Sequence, residues 1–306
     1  MTLILARRPN AYTGSPLDRA AHHRDDEAWI AARLADPASL FVPVWRAKTL
    51  VAGDESPNAV FLTGAVAEAV RMAGGPWAFL GLKGEHAVFA VDVSAVDDPL
   101  PLLPAALGRF EDLRALAGRL PADDAAVLAH ARGLMHWRTR HKFCGVCGAP
   151  CEPRSAGYSH VCTQCGTHHF PRTDPAVIML VHRHGRVLLG HSQRFPNSQM
   201  YSTLAGFVEP GESLEEAVAR EVMEEVGVPV GLVRYHSSQP WPFPASIMLG
   251  FYAEALAEAI TIQQDELSDA RWFTLDELRD PEANGFQLPR RDSIARRLIE
   301  DWMDHA

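Results

Sequence analysis

Three glutamates, Glu221, Glu224 and Glu225, carry the chemistry most plainly written in this chain. On an α-helix, at about 100° per residue, they fall within an arc of roughly 100°. Carboxylates this close repel one another and raise each other's pKa, a cost that a divalent cation removes. Hard oxygen donors in this number suit Mg2+ or Mn2+, ions that bridge phosphate oxygens and activate water. A solvated acidic helix face is the plainer reading of clustered glutamate. The neighbouring residues weigh against it. Gly206 lets backbone approach a ligand, Arg220 directly precedes the cluster, and Glu212 is placed to pair with Arg220 and lock a loop against the helix.

Cysteine supplies the second constellation. Cys144 and Cys147, then Cys162 and Cys165 after fourteen intervening residues, form two paired-thiolate knuckles able to meet tetrahedrally around one Zn2+. Four thiolates leave no open position for water or substrate, so the zinc is read as structural. Gly145, Gly148 and Gly166 suit tight turns that aim backbone N–H groups at the sulfurs. Cys151 is the odd one out and reads as a spare thiol. His168 and His169 read as packing or solvent-facing residues, because the ligand set is already complete.

Local rules place these residues on defined elements. Ser213 with Glu216 makes a capping box, Gly227 suits the left-handed position after a helix, and Val218, Val222 and Val226 repeat every four residues. The acidic cluster therefore sits on a helix that packs through its valines. Beyond Pro171 the pattern runs strand, hairpin, strand (176–181 and 186–191, turning at His184 and Gly185), then the glycine-rich loop, the helix and more strands. It ends on an amphipathic helix from about Asp292 to Met303, with Ile294, Leu298 and Ile299 on one side. Before the cysteines, a helix from about Asp123 to Arg138, with Pro121 and Asp123 at its start, presents Val127, Leu128, Ala131, Leu134 and Met135 on one face. The first third holds strand-like runs at 41–45, 77–82 and 87–93, a hairpin turn at 83–85, and a connector with Pro99, Pro101 and Pro104. No internal repeat or low-complexity tract is evident. The reading is an α+β chain: a mixed β-rich N-terminal domain over 1–138, a zinc ribbon over 139–170 and an α/β unit over 171–306.

Composition narrows the class. A chain of 306 residues, 47% hydrophobic and 22% charged, suits two globular domains plus a small module. The net charge of −9 argues against a generally basic nucleic-acid surface, so an anionic substrate would need bound cations to supply positive charge. The apolar run from Leu3 to Ala6 is too short for a secretory segment, nothing later reaches the length of a membrane span, and the last residues form no organelle address. A cytoplasmic, reducing location is the expectation, in which clustered cysteines bind metal rather than form disulfides.

The stretch from Gly206 to Val228 resembles the Nudix box at every defined position: Gly206, five residues, Glu212, seven residues, Arg220 and Glu221, aliphatic Val222, one residue, Glu224 and Glu225, one residue, Gly227 and aliphatic Val228. That family hydrolyses nucleoside diphosphates linked to other moieties. A second stretch, Ser238 to Ser246, resembles the motif of the NADH pyrophosphatase subfamily. Its prolines stiffen an extended loop, and Trp241 and Phe243 offer flat faces to a base; a rigid edge loop with core aromatics is the plainer alternative. The ribbon, the Phe170-Pro171-Arg172 junction and the helix through Ser293 to Ile299 are also similar to that subfamily. The likeness is dense from about Trp137 onward and loose over the first 130 residues.

The resemblance implies a Nudix α/β/α sandwich that cuts the diphosphate of NADH or NAD into nicotinamide mononucleotide and AMP. It implies Mg2+ or Mn2+ held by Glu221, Glu224, Glu225, the carbonyl of Ala205, and Glu266, which alone would read as loop surface. Glu225, Glu221, Glu224 and Arg220 form the implied catalytic set, with Glu225 orienting water or taking its proton. Phe207 would stack on nicotinamide, and Gln239, Pro240, Trp241, Pro242, Phe243, Pro244, Ala245, Ser246 and Ala295 would line the remaining pocket. Phe170 stands where the family often has tyrosine, keeping a stacking ring without the hydroxyl. Family members are commonly homodimers. Two alternatives stay open: removal of NAD caps from RNA 5′ ends, for which Arg132, Arg138, Arg140 and Lys142 could form a local basic strip, and a non-catalytic dinucleotide sensor, which the intact carboxylate cluster disfavours.

Overall fold

The computed structural model describes residues 9–116, 118–193, 195, 197, 199–263 and 265–305; the Leu3 to Ala6 run lies outside them. The chain divides into two compact units, one of residues 12–173 with 241–245, the other of 174–240 and 246–306 with the described residues up to Ala11. The ribbon thus clusters with the N-terminal domain, and five residues of the Ser238 to Ser246 motif cluster there too. Among the described residues no helix is long and apolar enough to cross a membrane.

The second unit is built on strand Asp174–Arg183, whose side chains alternate between two cores. Val177, Met179 and Val181 pack with Val218, Val222 and Val226 of helix Leu214–Val226. Ile178 and Leu180 face the other way, against Ile294, Ala295, Leu298 and Ile299 of helix Ile294–Met303. A sheet between two helical layers follows from that alternation. Its order is Val230–Trp241, Ser246–Ala255, Asp174–Arg183, Arg186–His191, Asp269–Thr274, with Leu204–Phe207 also pairing to Asp174–Arg183. The hairpin turns at His184 and Gly185, both at positive φ, where the sequence placed it.

In the first unit the strands are Leu40–Trp45, Lys48–Ala52, Asn58–Ala59, Trp77–Lys83, His86–Asp92 and Arg109–Asp112. Leu40–Trp45 runs parallel to His86–Asp92 and antiparallel to Lys48–Ala52; His86–Asp92 pairs with Trp77–Lys83, and Lys48–Ala52 with Arg109–Asp112. The core gathers Phe41, Leu50, Phe79 and Phe89. Helix Ala122–Arg140 buries the five predicted apolar residues and also Trp137 and Arg138. The ribbon is a separate three-stranded sheet of Cys151–Arg154, Ser159–Cys162 and His168–His169.

The two larger sheets share a topology. Trp77–Lys83, His86–Asp92, Leu40–Trp45, Lys48–Ala52, Arg109–Asp112 follow the same order as the five-strand path of the second unit, with the one parallel pair in the same place. This corrects the expectation of no internal repeat: the repetition lies in strand order and direction, which many apolar sequences satisfy. The helix at the place of Leu214–Val226 is Gly64–Ala73, whose only acid is Glu68, so the copy lacks the carboxylate cluster.

Candidate active site

Helix Leu214–Val226 opens on the predicted capping box: the Glu216 amide donates to Ser213 Oγ at 3.2 Å and the Ser213 amide to Glu216 Oε2 at 2.7 Å. It closes at Gly227, φ 65°, whose amide donates to the Met223 carbonyl at 2.9 Å. The three buried valines fix the helix's rotation, and that rotation turns Glu221 and Glu225 inward, where they are 8% and 5% exposed.

The third acid comes from far along the chain. Thr261 donates to the Val226 carbonyl at 2.8 Å, Gln263 to the Glu225 carbonyl at 3.0 Å, and Leu267 is buried in the core below. This anchoring sets Glu266 beside the helix, so that one carboxylate oxygen each from Glu221, Glu225 and Glu266 lie within 4.8 Å of one another. Glu224 stands apart from that group, half exposed and bonded to Arg220 at 2.9 Å.

Gly206 makes the arrangement possible. It pairs with Val177 across the sheet, and a Cβ there would stand 1.9 Å from the Glu221 carboxyl carbon. Arg220 spends its guanidinium on the loop and helix together: Nε meets Glu212 Oε1 at 2.5 Å, NH2 meets Glu212 Oε2 and the Phe207 carbonyl at 2.9 Å each, and NH1 meets Glu221 at 2.8 Å. The predicted Glu212–Arg220 lock is present. Arg220 thus ties the loop to the helix.

The carboxylates of the cluster differ in their electrostatics. Burial, then the charges of Glu221 and Glu266, push Glu225 up to about 8 against the opposing Ala205 backbone amide. Burial also raises Glu221. Glu212, by contrast, is held at about 2 by the Arg220 hydrogen bond and by the Glu209 amide. Two buried carboxylates and the exposed Glu266, their oxygens converging, fit a divalent cation with hard-oxygen preference.

The remaining candidates separate by exposure. Phe207 has its carbonyl fixed by Arg220 and its ring 60% exposed beside Gly206; Phe170 is 64% exposed. Pro244 is exposed, and Pro240, Trp241, Ala245 and Ser246 are half-buried. Gln239, Pro242, Phe243 and Ala295, also expected to line the pocket, are buried. Gln239, wholly enclosed, accepts from the Ile294 amide at 2.9 Å and donates to the Asp292 carbonyl at 2.8 Å, satisfying an orphan donor at the start of the last helix. The Phe243 ring lies under the guanidinium groups of Arg114 and Arg132, at 4.6 and 4.9 Å, with Tyr12 at its edge. Arg132 also donates to the Pro242 carbonyl at 2.8 Å. With Arg132 occupied and Arg138 buried, the expected basic strip reduces to exposed Arg140 and Lys142.

The four cysteine sulfurs also lie within 4.8 Å of one another, with Cys147 at 3.4 Å from Cys162 and 3.5 Å from Cys165, and Cys144 at 3.7 Å from Cys165. Zinc–thiolate bonds of about 2.3 Å in a tetrahedron require sulfurs near this spacing. The Val146 amide points at Cys144 and the Gln164 and Cys165 amides at Cys162, each at 3.4 Å, as the glycine-rich turns suggested. His169 Nε2 stands 3.3 Å from Cys144 Sγ, a contact with a ligand sulfur that the sequence reading missed. Cys151 lies outside the cluster.

Comparison with known proteins agrees with this anatomy. Three family models match in succession: an NADH pyrophosphatase-like rudimentary NUDIX domain over 38–137, an NADH pyrophosphatase zinc ribbon domain over 139–170 and a NUDIX domain over 171–297. The chain is 46% identical over 195 residues to the NAD-capped RNA hydrolase NudC of Stutzerimonas stutzeri, covering 64% of this chain and 68% of that protein. It is 39% identical over 297 residues to NudC of Mycobacterium bovis, covering 93% and 92%. Against the human NAD-capped RNA hydrolase NUDT12 it is 42% identical over 199 residues, covering 60% of this chain and 43% of that longer protein. The chain belongs to the Nudix hydrolase family. Within it, the rudimentary domain, zinc ribbon and catalytic domain follow the NADH pyrophosphatase arrangement.

Proposed function

We propose that this chain hydrolyses the central diphosphate of NADH or NAD to nicotinamide mononucleotide and AMP. The observation that carries the reading is the convergence of Glu221, Glu225 and Glu266 beside the glycine at 206. Those three, with Glu224 and the Ala205 carbonyl, would hold Mg2+ or Mn2+, which neutralises the diphosphate and lowers the pKa of a bound water. Glu225, the most buried acid, is the group to orient that water and take its proton. Arg220 keeps the loop and helix in register, and the exposed Phe207 ring offers a stacking face to nicotinamide. Within the proline loop, Pro240, Trp241, Ala245 and Ser246 are half-buried and Pro244 is exposed.

A second reading, hydrolysis of NAD caps on RNA by the same chemistry, draws support from the names of the three relatives. We further propose a homodimer, for which the solvent-facing Phe170 at the ribbon junction speaks, and a cytoplasmic location, which suits a cluster of four free thiols. Parallel assays of NADH, NAD and an NAD-capped RNA, with Mg2+ or Mn2+, test the substrate. Release of AMP from the free dinucleotides supports the first reading; cutting of capped RNA alone replaces it with the second.

A further inference from the structure

The unit of residues 12–173 holds an arginine without a counter-charge. Arg138, on helix Ala122–Arg140, is 5% exposed, and among the described residues neither its Nε nor its NH1 meets an acceptor. Burial pulls its pKa down to about 10 with no carboxylate opposing the effect. A charge left buried and unpaired is strongly unfavourable, so buried arginines ordinarily have an anionic partner. Arg24 has its own buried Nε without an acceptor and stacks its guanidinium 3.5 Å from the Tyr158 ring centre. His130, bonded to Tyr158, is kept neutral, its pKa lowered to about 3 by burial and then by Arg19 and Arg24.

Arg138 and Arg24 line a cavity of about 340 Å³ between helix Glu27–Ala35, Trp77 and the turn Ser155–Gly157. Ile30, Leu34 and Trp77 form an apolar side; exposed Asp25 and Glu27 lie at its edge, acceptors suited to hydroxyl groups. Gly157, at φ 94°, keeps the wall open: a Cβ there would stand 2.7 Å from the Ala78 Cβ and 3.0 Å from Arg138 NH1.

We propose that this cavity binds a phosphate monoester of about mononucleotide size, with its phosphate on Arg138 and its ring portion against Trp77, Ile30 and Leu34. A guanidinium buried with no acidic partner among the described residues suits a phosphate, whose oxygens match its fork of donors. None of the glutamate-cluster residues takes part, so the proposal stands apart from the assignment of substrate.

The test is calorimetric titration of the full chain, without added Mg2+ or Mn2+, using inorganic phosphate, AMP and adenosine in turn. AMP is expected to bind saturably and at least tenfold more tightly than phosphate, with adenosine weaker than both. Arg138→Met should weaken AMP binding at least tenfold, and in phosphate-free buffer it should melt no lower than the parent, because it removes an unpaired charge. Ala31→Trp, at an exposed helix position lining the cavity, should weaken AMP while leaving the fold intact, and it carries the test if Arg138→Met does not fold. No AMP binding to the parent, AMP binding undiminished in these variants, or phosphate binding as tightly as AMP would overturn the proposal.

Discussion

Glu225→Gln should remove a loss of stability that the metal-free protein suffers as pH rises. The carboxyl is lifted from 4.5 to about 8 in the folded state, so folding favours its protonated form. A carboxyl raised in this way contributes stability that is fully present below its unfolded pKa and is lost as pH rises through its folded one. Each pH unit in which only the folded state holds the proton is worth about 1.4 kcal/mol. With a folded pKa near 8 the chain should lose about 2 kcal/mol between pH 6 and 8 from this group alone. Glutamine cannot ionise, so the variant lacks that loss. Burial lowers the pKa of His182 and His236, which contribute an opposite trend, but they do so in both chains and cancel in the difference. Urea midpoints at pH 6, 7 and 8, without and then with Mn2+, give the comparison. The native chain should weaken relative to the variant as pH rises, and Mn2+ should restore the native chain only. Parallel pH profiles for the two chains would refute the electrostatic reasoning.

Gly206→Ala places a methyl group where the Glu221 carboxyl stands, 1.9 Å away, and should cut kcat/KM at least ~100-fold while circular dichroism stays unchanged. Gln239→Ala strands the Ile294 amide inside the fold and should cost about 2 kcal/mol in denaturant unfolding, a much larger effect than expected of a substrate contact on the surface. Zinc analysis should give one ion per native chain and per Cys151→Ser chain, and less than one after Cys144→Ser, since Cys144, unlike Cys151, belongs to the converging set.

Features set by neighbours in sequence were legible without a structure. Ser213 with Glu216, Gly227 and the valine repeat define the helix, and the helix aligns Glu221 and Glu225. The two cysteine pairs define the zinc site in the same way. Features set by distant contacts left no local signal, and Glu266 was reached only through the family resemblance. Glu266 reaches the cluster because Thr261 and Gln263 bond to the helix end, a connection no local pattern encodes. Gln239 satisfies a helix start more than fifty residues away. Phe243 has the composition of a stacking platform, yet Arg114, Arg132 and Tyr12 enclose it. The shared topology of the two sheets escaped notice because strand order leaves little trace in side-chain identity.

The central claim is that the glutamate cluster hydrolyses a dinucleotide diphosphate. Incubating the native chain and Glu225→Gln with NADH and Mn2+, and resolving the nucleotides by chromatography, tests it most directly. AMP and reduced nicotinamide mononucleotide in equal amounts from the native chain, with at least a ~100-fold slower reaction from the variant, is the expected result. Intact NADH with both chains, or equal rates of cleavage, would contradict it.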